Sequence, residues 1–273
     1  MIPAAFDYAR ASTVDEAVRL LADNGDDAKL LAGGHSLLPL MKLRLAAPAL
    51  LVDIGRLRDL SYVRDDGDTL AIGALTRHRD VEINDLVTTH VPLLAKVAGQ
   101  IGDPQVRHRG TIGGSIAHGD PASDLPAATL ALGATYKAVG PNGERTIPAG
   151  EFYRGFLETA LAADEVLTEI VVPKVGAGGW SFQKFNRRAQ DWAIVGVAAV
   201  RNGHTGIGLV NMGSTPLRAT AVEEALAAGA SPAEAAAHAA DGLEPPGDLN
   251  ASPEYRRHLA QVLVRRALEE AGA

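Results

Sequence analysis

Apolar residues near the start of the chain form short runs typical of strands and spacings typical of helices. Runs at residues 29–32 and 50–54 predict two strands, and the segment between them predicts a short helix over residues 37–45. An earlier helix is predicted after Thr13, because a threonine followed three residues later by Glu16 is a capping-box pattern. The order strand, helix, strand predicts a compact βαβ-like unit.

The middle of the chain carries a second group of predicted elements. Apolar runs at residues 69–73, 135–139 and 166–172 predict strands, and helices are predicted at residues 92–101 and 125–132. Thr76 is predicted to cap a polar helix that carries Arg77, His78 and Arg79, and we interpret the polar segment at residues 102–110 as a loop. Loops between packed elements are where binding sites usually lie.

The last third follows a glycine-rich stretch at residues 176–179, which predicts a linker. Asn202-Gly203 predicts a hairpin turn between two strands, and serine, proline and glutamate together predict helix starts after Ser231 and Ser252. The predicted strands cover residues 180–185, 193–200 and 205–212. This pattern indicates a separate α+β unit.

Two glycine pairs each follow an apolar run and precede a hydroxyl residue. Gly33-Gly34 precedes Ser36, and Gly113-Gly114 precedes Ser115. Glycine permits positive φ and close approach to a ligand, and a helix start offers unpaired N–H groups that suit phosphate. The two turns together predict a site for the diphosphate of a dinucleotide, while an ordinary tight turn is the alternative for either one alone. No G-x-G-x-x-G pattern occurs, which disfavours a Rossmann site.

Composition excludes several classes of protein. The 273 residues carry a formal net charge of −7, which argues against a nucleic-acid partner. The chain has no cysteine, so it can form neither a disulfide nor a cysteine-ligated iron–sulfur cluster. The N-terminus lacks the pattern of a secretory signal, and the longest apolar run, at residues 192–200, is too short to cross a membrane. We therefore expect a cytoplasmic protein.

Several motifs occur together along nearly the whole chain. They are Ala32-Gly33-Gly34-His35-Ser36-Leu37-Leu38-Pro39, Asp103-Pro104-Gln105, Gly110-Thr111-Ile112-Gly113-Gly114, Gly119-Asp120-Pro121 and Thr215-Pro216-Leu217. In this combination the chain resembles the FAD-binding medium subunits of the molybdenum hydroxylases, the family of xanthine dehydrogenase and aerobic carbon monoxide dehydrogenase. The resemblance is strongest to the carbon monoxide dehydrogenase medium subunit.

The resemblance implies an α+β fold in which two α/β subdomains grip FAD and a C-terminal α+β domain carries a small antiparallel sheet. With the sequence pattern, it places the two FAD-binding subdomains at residues 1–57 and 58–175 and the C-terminal domain at residues 176–273.

The resemblance also implies which residues bind FAD. The glycine segments would cradle the diphosphate, Asp124 would contact a hydroxyl group of FAD, and Lys184 and Trp192 would approach the flavin ring. The full expected set is Ala32, Gly33, Gly34, His35, Ser36, Leu37, Ile101, Thr111, Gly113, Gly114, Ser115, Asp124, Lys184 and Trp192. The alternatives are an N-cap role for Asp124, a solvated strand lysine at Lys184, and ordinary core positions for Trp192 and Ile101. We expect no catalytic residue and no metal ligand in this chain.

The function implied is electron transfer. Electrons would pass from a large molybdenum-cofactor subunit through a small [2Fe–2S] subunit to FAD here, and then to quinone, NAD or oxygen. The implied assembly is a dimer of heterotrimers. Two alternatives are a self-sufficient FAD-dependent oxidase or reductase, and a metal-dependent hydrolase that uses His118, Asp120 and Asp124.

Overall fold

Three sheets of three or more strands follow one another along the chain in the computed structural model, which describes residues 2–176, 178–203 and 205–272. Each sheet is associated with helices close to it in sequence. The predicted linker at residues 176–179 includes Ala177, which lies outside the described residues. Its last residue, Gly179, is not linker but the first residue of a strand.

The first sheet has three parallel strands, and its central strand is the last in sequence. Its elements are β1 (Asp7–Arg10), α1 (Val14–Asn24), β2 (Ala28–Leu31), α2 (Leu37–Lys42) and β3 (Leu50–Asp53). Because β2 and β3 are parallel neighbours joined through α2, the predicted βαβ unit is confirmed. Thr13 caps α1 by accepting a hydrogen bond of 3.1 Å from the N–H of Glu16, as predicted, but the Glu16 carboxylate accepts from Ser12.

The second sheet has five antiparallel strands in the order β4, β5, β10, β6, β7. These strands are β4 (Val63–Asp65), β5 (Thr69–Gly73), β6 (Thr135–Gly140), β7 (Gly143–Pro148) and β10 (Val166–Pro173). A small hairpin of β8 (Tyr153–Gly155) and β9 (Glu158–Thr159) lies between β7 and β10 in sequence. The pattern did not predict β4, β8 or β9, because these strands have only two or three residues, or β7, because its residues are mostly polar and exposed.

Six helices lie between β5 and β6 in sequence. They are α3 (His78–Ile83), α4 (Asp85–His90), α5 (Pro92–Gly99), α6 (Pro104–Arg109), α7 (Ile112–His118) and α8 (Asp124–Ala131). The loop predicted over residues 102–110 is wrong, because α6 forms there with Asp103 as its N-cap and Pro104 at its first position. Thr76 does not cap α3; its hydroxyl group is bonded to the backbone of Tyr62.

The third sheet has four antiparallel strands in sequence order. Its elements are β11 (Gly179–Phe185), β12 (Val195–Arg201), β13 (Thr205–Val210), β14 (Leu217–Arg218), α9 (Thr220–Ala227), α10 (Pro232–Ala236) and α11 (Pro253–Ala271). The predicted hairpin is confirmed, because β12 and β13 pair antiparallel on either side of Asn202-Gly203. α10 begins with the capping box expected between Ser231 and Glu234.

Helix α8 connects the middle of the molecule to the C-terminal sheet. It packs on α5 and α7 and also on β12 and β13. The approach to β13 is so close that a Cβ atom added at Gly206 or Gly208 would collide with the backbone carbonyls of Ala131 and Ala127. α11 packs on β11 and β12. Among the residues that the structure describes, none of the helices is long and apolar enough to cross a membrane.

Candidate cofactor-binding site

A cavity of about 800 Å³ lies where the two glycine segments meet. Residues from all three parts of the chain that contain these sheets line the cavity. Every one of the fourteen residues predicted to bind the cofactor lines this cavity. The structure therefore brings the whole predicted set to one place.

The first glycine segment forms an open loop between β2 and α2. Gly34 has a φ of +79°, a conformation that favours glycine. Within the described part of the chain, the backbone N–H groups of residues 33–37 donate to no protein acceptor, and Ser36 makes no side-chain capping bond. Five consecutive free N–H groups beside a cavity form a site suited to an anion such as a diphosphate.

The second glycine segment is not a turn, and that part of the prediction is wrong. Gly113 and Gly114 lie inside α7, which Thr111 caps by accepting a hydrogen bond of 3.1 Å from the N–H of Gly114. The N–H groups of Ile112 and Gly113 donate to the carbonyls of Thr76 and Ala74, at 3.0 and 2.9 Å. The first turn of α7 therefore has its N–H groups occupied by protein acceptors.

Close packing explains the glycines of α7. A Cβ atom at Gly113 would lie 2.5 Å from Cβ of Ala74, and one at Gly114 would lie 2.6 Å from Oγ1 of Thr111. Both distances are too short for non-bonded atoms, so neither position has room for a side chain. Gly113 therefore lets α7 approach Ala74, the residue after β5, and Gly114 preserves the cap.

The two glycine segments touch each other directly. A Cβ atom at Gly33 would collide with the carbonyl oxygen of Arg109, which directly precedes the second segment. The guanidinium group of Arg77 donates to the same carbonyl oxygen. Gly33 therefore allows the open loop to rest on a backbone position that Arg77 holds in place.

His78 lines the same cavity, and the sequence-based prediction missed it. Its backbone N–H donates to the carbonyl of Gly110 at 3.0 Å, and its imidazole is buried against Gly110. Burial, together with nearby positive groups, lowers the pKa of His78 to about 4, so the ring is neutral near pH 7. Nδ1 is buried and has no partner among the described residues. The pattern of His78 and buried Val81, three residues apart on one helix face, could have indicated this burial.

At another part of the cavity, Lys184 and Asp124 form a buried ion pair. Nζ of Lys184 lies 2.6 Å from Oδ2 of Asp124, and each side chain is only 6% exposed. Lys184 also donates to the carbonyl of Gln100 at 3.1 Å. Burial raises the pKa of Asp124, while the charge of Lys184 opposes that rise. Oδ1 of Asp124 has no partner in the described part of the chain. An unpaired oxygen in such a place fits a hydroxyl group of a bound ligand.

The structure also tests the alternative roles predicted for four of the site residues. The solvated-lysine alternative is wrong, because Lys184 is buried and paired. Ser123, not Asp124, occupies the N-cap position of α8. Trp192 is 59% exposed, so it is not a core residue. Ile101 packs against the main core and also lines the cavity, so both of its predicted roles are compatible with its position.

Two of the three residues of the hydrolase hypothesis, Asp120 and Asp124, are engaged in other contacts. Oδ1 of Asp120 accepts a hydrogen bond of 2.9 Å from the N–H of Ala122, and Asp124 is paired with Lys184. No group of three candidate ligands that could hold a metal ion is found among the described residues. This hypothesis gains no support from the structure.

The residues present fit FAD. The open loop suits the diphosphate, while the cavity extends from this loop to Lys184 and Trp192. Unpartnered polar atoms of His78 and Asp124 remain along its walls. Residues that the sequence did not indicate also line it, among them Gln190 and the segment around β9.

Comparison with known proteins agrees with this geometry. Residues 4–175 match the family described as FAD binding domain in molybdopterin dehydrogenase, and residues 180–271 match the CO dehydrogenase flavoprotein C-terminal domain. The chain is 45% identical to the carbon monoxide dehydrogenase medium chain of Hydrogenophaga pseudoflava, over 100% of this chain and 99% of that protein. It is 40% identical to the 6-hydroxypseudooxynicotine dehydrogenase complex subunit alpha of Paenarthrobacter nicotinovorans, over 99% and 96% of the two chains.

A solved structure shows the same fold. A chain of the carbon monoxide dehydrogenase of Hydrogenophaga pseudoflava, in a form that lacks the Mo-pyranopterin moiety, superposes with a TM-score of 0.96 at 46% identity, covering 100% of this chain and 99% of that one. The predicted α+β fold class is thereby confirmed.

Proposed function

Because the chain belongs to the FAD-binding medium subunits of the molybdenum hydroxylases, we propose that it transfers electrons from the iron–sulfur clusters of a partner subunit to an external acceptor. The family assignment itself makes it a flavoprotein component of an oxidoreductase that binds FAD. The proposed complex is carbon monoxide dehydrogenase-like.

The open loop at residues 33–37 is the observation that carries this proposal. Its N–H groups have no acceptor in the described part of the chain, while those at the start of α7 are occupied. We therefore assign the backbone contacts to the diphosphate to the first segment. The second segment contributes side chains, such as Ser115, and fixes the loop through Arg109.

Lys184 and Asp124 act in the region proposed for the flavin ring. When bound, FAD supplies a redox centre that can accept two electrons. A buried lysine favours the negative charge that builds up in such a centre on reduction, because opposite charges attract strongly where water is excluded. Asp124 holds the lysine in place through the 2.6 Å contact. Trp192 forms part of the rim of the cavity.

The proposed partners supply the chemistry that this chain lacks. A chain without cysteine cannot hold an iron–sulfur cluster through cysteine ligands. We infer a small [2Fe–2S] subunit and a large molybdenum-cofactor subunit, assembled as a dimer of heterotrimers in the cytoplasm. Within this chain we propose three domains, which cover residues 1–57, 58–175 and 176–273. A self-sufficient oxidase is the alternative, and no observation specifically favours it.

Purification of the tagged chain from its native host tests the proposal. We expect FAD absorbance, molybdenum and iron to co-purify with two further chains. A single yellow protein that oxidises a substrate by itself would contradict the subunit assignment. A colourless chain that does not take up added FAD would contradict the cofactor assignment.

Replacement of one glycine tests the open loop. Gly34→Ala places a side chain at a φ of +79° and a Cβ atom 2.9 Å from Cδ1 of Leu38. We expect a loss of about 1 kcal/mol in unfolding free energy from the backbone strain, together with a clear fall in FAD content by absorbance.

The matched control is Gly67→Ala. Gly67 has a φ of +77°, its added Cβ meets no atom within 4 Å, and it does not line the cavity. This variant should show a similar strain but retain FAD. Equal FAD contents in the two variants would mean that the open loop does not bind the cofactor.

A further inference from the structure

Residues 160–165 connect β9 to β10, and we call them the wall segment. Leu161, Ala162, Ala163 and Glu165 of this segment line the cofactor-binding cavity. The segment is neither helix nor strand. Its conformation therefore depends on individual contacts and not on a regular ladder of backbone hydrogen bonds.

The backbone of the wall segment is held at few points. The N–H group of Ala160 donates to the carbonyl of Phe152 at 2.7 Å. The N–H group of Glu165 donates to the carbonyl of Ala162 at 3.1 Å, but this bond lies within the segment itself. Surface segments with few backbone hydrogen bonds open at a low cost in free energy. Side chains must therefore hold the wall segment in place beside the cavity.

One arginine outside the wall segment binds both of its ends. Nε and Nη2 of Arg145 lie 2.6 and 2.7 Å from Oε1 and Oε2 of Glu165, the last residue of the segment. Nη2 also donates to the carbonyl of Ala160, the first residue, at 2.6 Å. Arg145 belongs to β7, which is an edge strand of the second sheet. The wall segment is therefore tied at both ends to a regular element.

The carboxylate of Glu165 joins this arginine to the middle of the segment. Its Oε2 also accepts a hydrogen bond of 2.7 Å from the N–H of Ala162, which lines the cavity. The side chain of Glu165 is only 10% exposed, whereas that of Arg145 is 48% exposed. A guanidinium group that contacts both oxygens of a carboxylate fixes the orientation of the two groups. The pair therefore determines where the cavity-lining residues of the segment lie.

A second arginine pair in the same sheet lacks any connection to the cavity. Arg64 lies on β4, the opposite edge strand, and its Nε and Nη2 each lie 2.7 Å from an oxygen of Asp66. Its side chain is 52% exposed, close to the value for Arg145. Neither Arg64 nor Asp66 lines the cavity. The two pairs have the same geometry, but only the Arg145–Glu165 pair holds a part of the cofactor-binding site.

We propose that Arg145 and Glu165 are positioning residues for the cofactor, and that their ion pair keeps the wall segment in the conformation that retains FAD. This inference rests on the function proposed above, which assigns FAD to the cavity. Arg145 does not line the cavity and acts only through the wall segment. Loss of the pair lets the segment open more often, and FAD then leaves faster.

The rate of FAD release from the purified complex tests this inference. The complex is diluted at a temperature at which the unmodified form loses its FAD within hours, and the fluorescence of free flavin is followed. We expect Arg145→Gln to release FAD about fivefold faster, the size expected for loss of a well-aligned pair that is partly exposed. Arg145→Lys should restore part of the slow release, because it keeps the charge but not the contact with both oxygens.

Arg64→Gln is the matched control. It removes a pair of the same geometry from the opposite edge of the same sheet. FAD release from this variant should be as slow as from the unmodified complex. Thermal unfolding of the same samples separates a general loss of stability, which both variants share, from the effect on release, which only Arg145→Gln shows.

A double variant tests whether the two residues act as one pair. Arg145→Gln and Glu165→Gln each break the same contact. The double variant should therefore release FAD no faster than the faster of the two single variants, since effects of residues that act through one contact do not add.

Two results would overturn the inference. One is a release rate for Arg145→Gln that equals that of the unmodified complex or of Arg64→Gln. The other is a double variant in which the fold-changes of the two single variants multiply, since each residue would then act by itself. Failure of the proposed function is a different result, because it would appear as an unmodified complex without flavin.

Discussion

His78 links the folding of this protein to pH. Its pKa is about 4 in the folded protein, mainly because of burial, against an ordinary value of 6.5. Between these two values the unfolded chain binds more protons than the folded protein does. The contribution of His78 to stability is therefore present above pH 6.5 and is lost as the pH falls towards 4. Its full size is about 3 kcal/mol.

Urea unfolding between pH 4 and pH 7 measures this effect. The free energy of unfolding of His78→Gln should depend less on pH than that of the unmodified protein. His238→Gln is the control, because His238 is an exposed histidine paired with Asp241 at 2.7 Å. The raised pKa of Asp124 acts in the opposite direction, but Asp124 is present in all three proteins, and its contribution cancels in the differences. If the free energy of unfolding depends on pH in the same way in the unmodified protein and both variants, His78 is not the source of the pH dependence.

The two glycine pairs show what a sequence pattern reveals at the level of single residues. The same motif forms an open loop at Gly33-Gly34 and part of a helix at Gly113-Gly114. The difference arises from Thr111 as a cap and from carbonyl acceptors on distant residues such as Ala74. The cap could be read from the sequence, whereas the distant acceptors could not.

Helix α7 depends on its cap. Thr111→Val keeps the shape of the side chain but removes the acceptor of the Gly114 N–H. We expect a loss of about 1 kcal/mol, the usual cost of losing an N-cap. Because α7 lines the cofactor-binding cavity, FAD content should fall as well. Urea unfolding and flavin absorbance measure the two effects.

Thr13→Val is the matched control for this helix. Thr13 caps α1 through the same type of hydrogen bond, also of 3.1 Å, and does not line the cavity. It should lose similar stability without a change in FAD content. If both variants retain FAD equally well, the position of α7 does not matter for the cofactor.

Among the strands and helices, the sequence pattern predicted buried elements better than exposed ones. The strands β5, β6 and β10 were found within about a residue of their ends, because their apolar residues occur in runs or at alternate positions. The missed strands β4 and β7 lie at the edges of the same sheet and have mostly exposed residues. The missed helix α6 is polar, although Asp103 and Pro104 marked its start.

The packing of α8 on β13 holds the C-terminal sheet to the rest of the molecule. Gly208→Ala would force a methyl group against the carbonyl of Ala127. We expect a loss of about 1–3 kcal/mol, as for other overpacked positions. Gly150→Ala is the control, since an added Cβ at Gly150 meets no atom within 4 Å and its φ is not positive. Thermal unfolding of the two variants should differ by several degrees, and equal midpoints would contradict the close packing.

For the whole molecule, the order of the sheets could be predicted, but not their contacts. Asp124 and Lys184 were expected in different domains, 60 positions apart in the chain. Nothing in their local sequence indicates that they pair. The shared use of α8 by the middle of the molecule and the C-terminal sheet also follows only from three-dimensional packing.

The Asp124–Lys184 pair joins α8 to β11 through protein atoms alone. A binding site that is already ordered loses little conformational entropy when its ligand enters. Closely related sites differ mainly in how fast the ligand leaves. Retention of the flavin over many turnovers would then depend on its residence time in a rigid cavity. Weakening the Asp124–Lys184 ion pair would shorten this residence time more than it would slow the binding of the flavin.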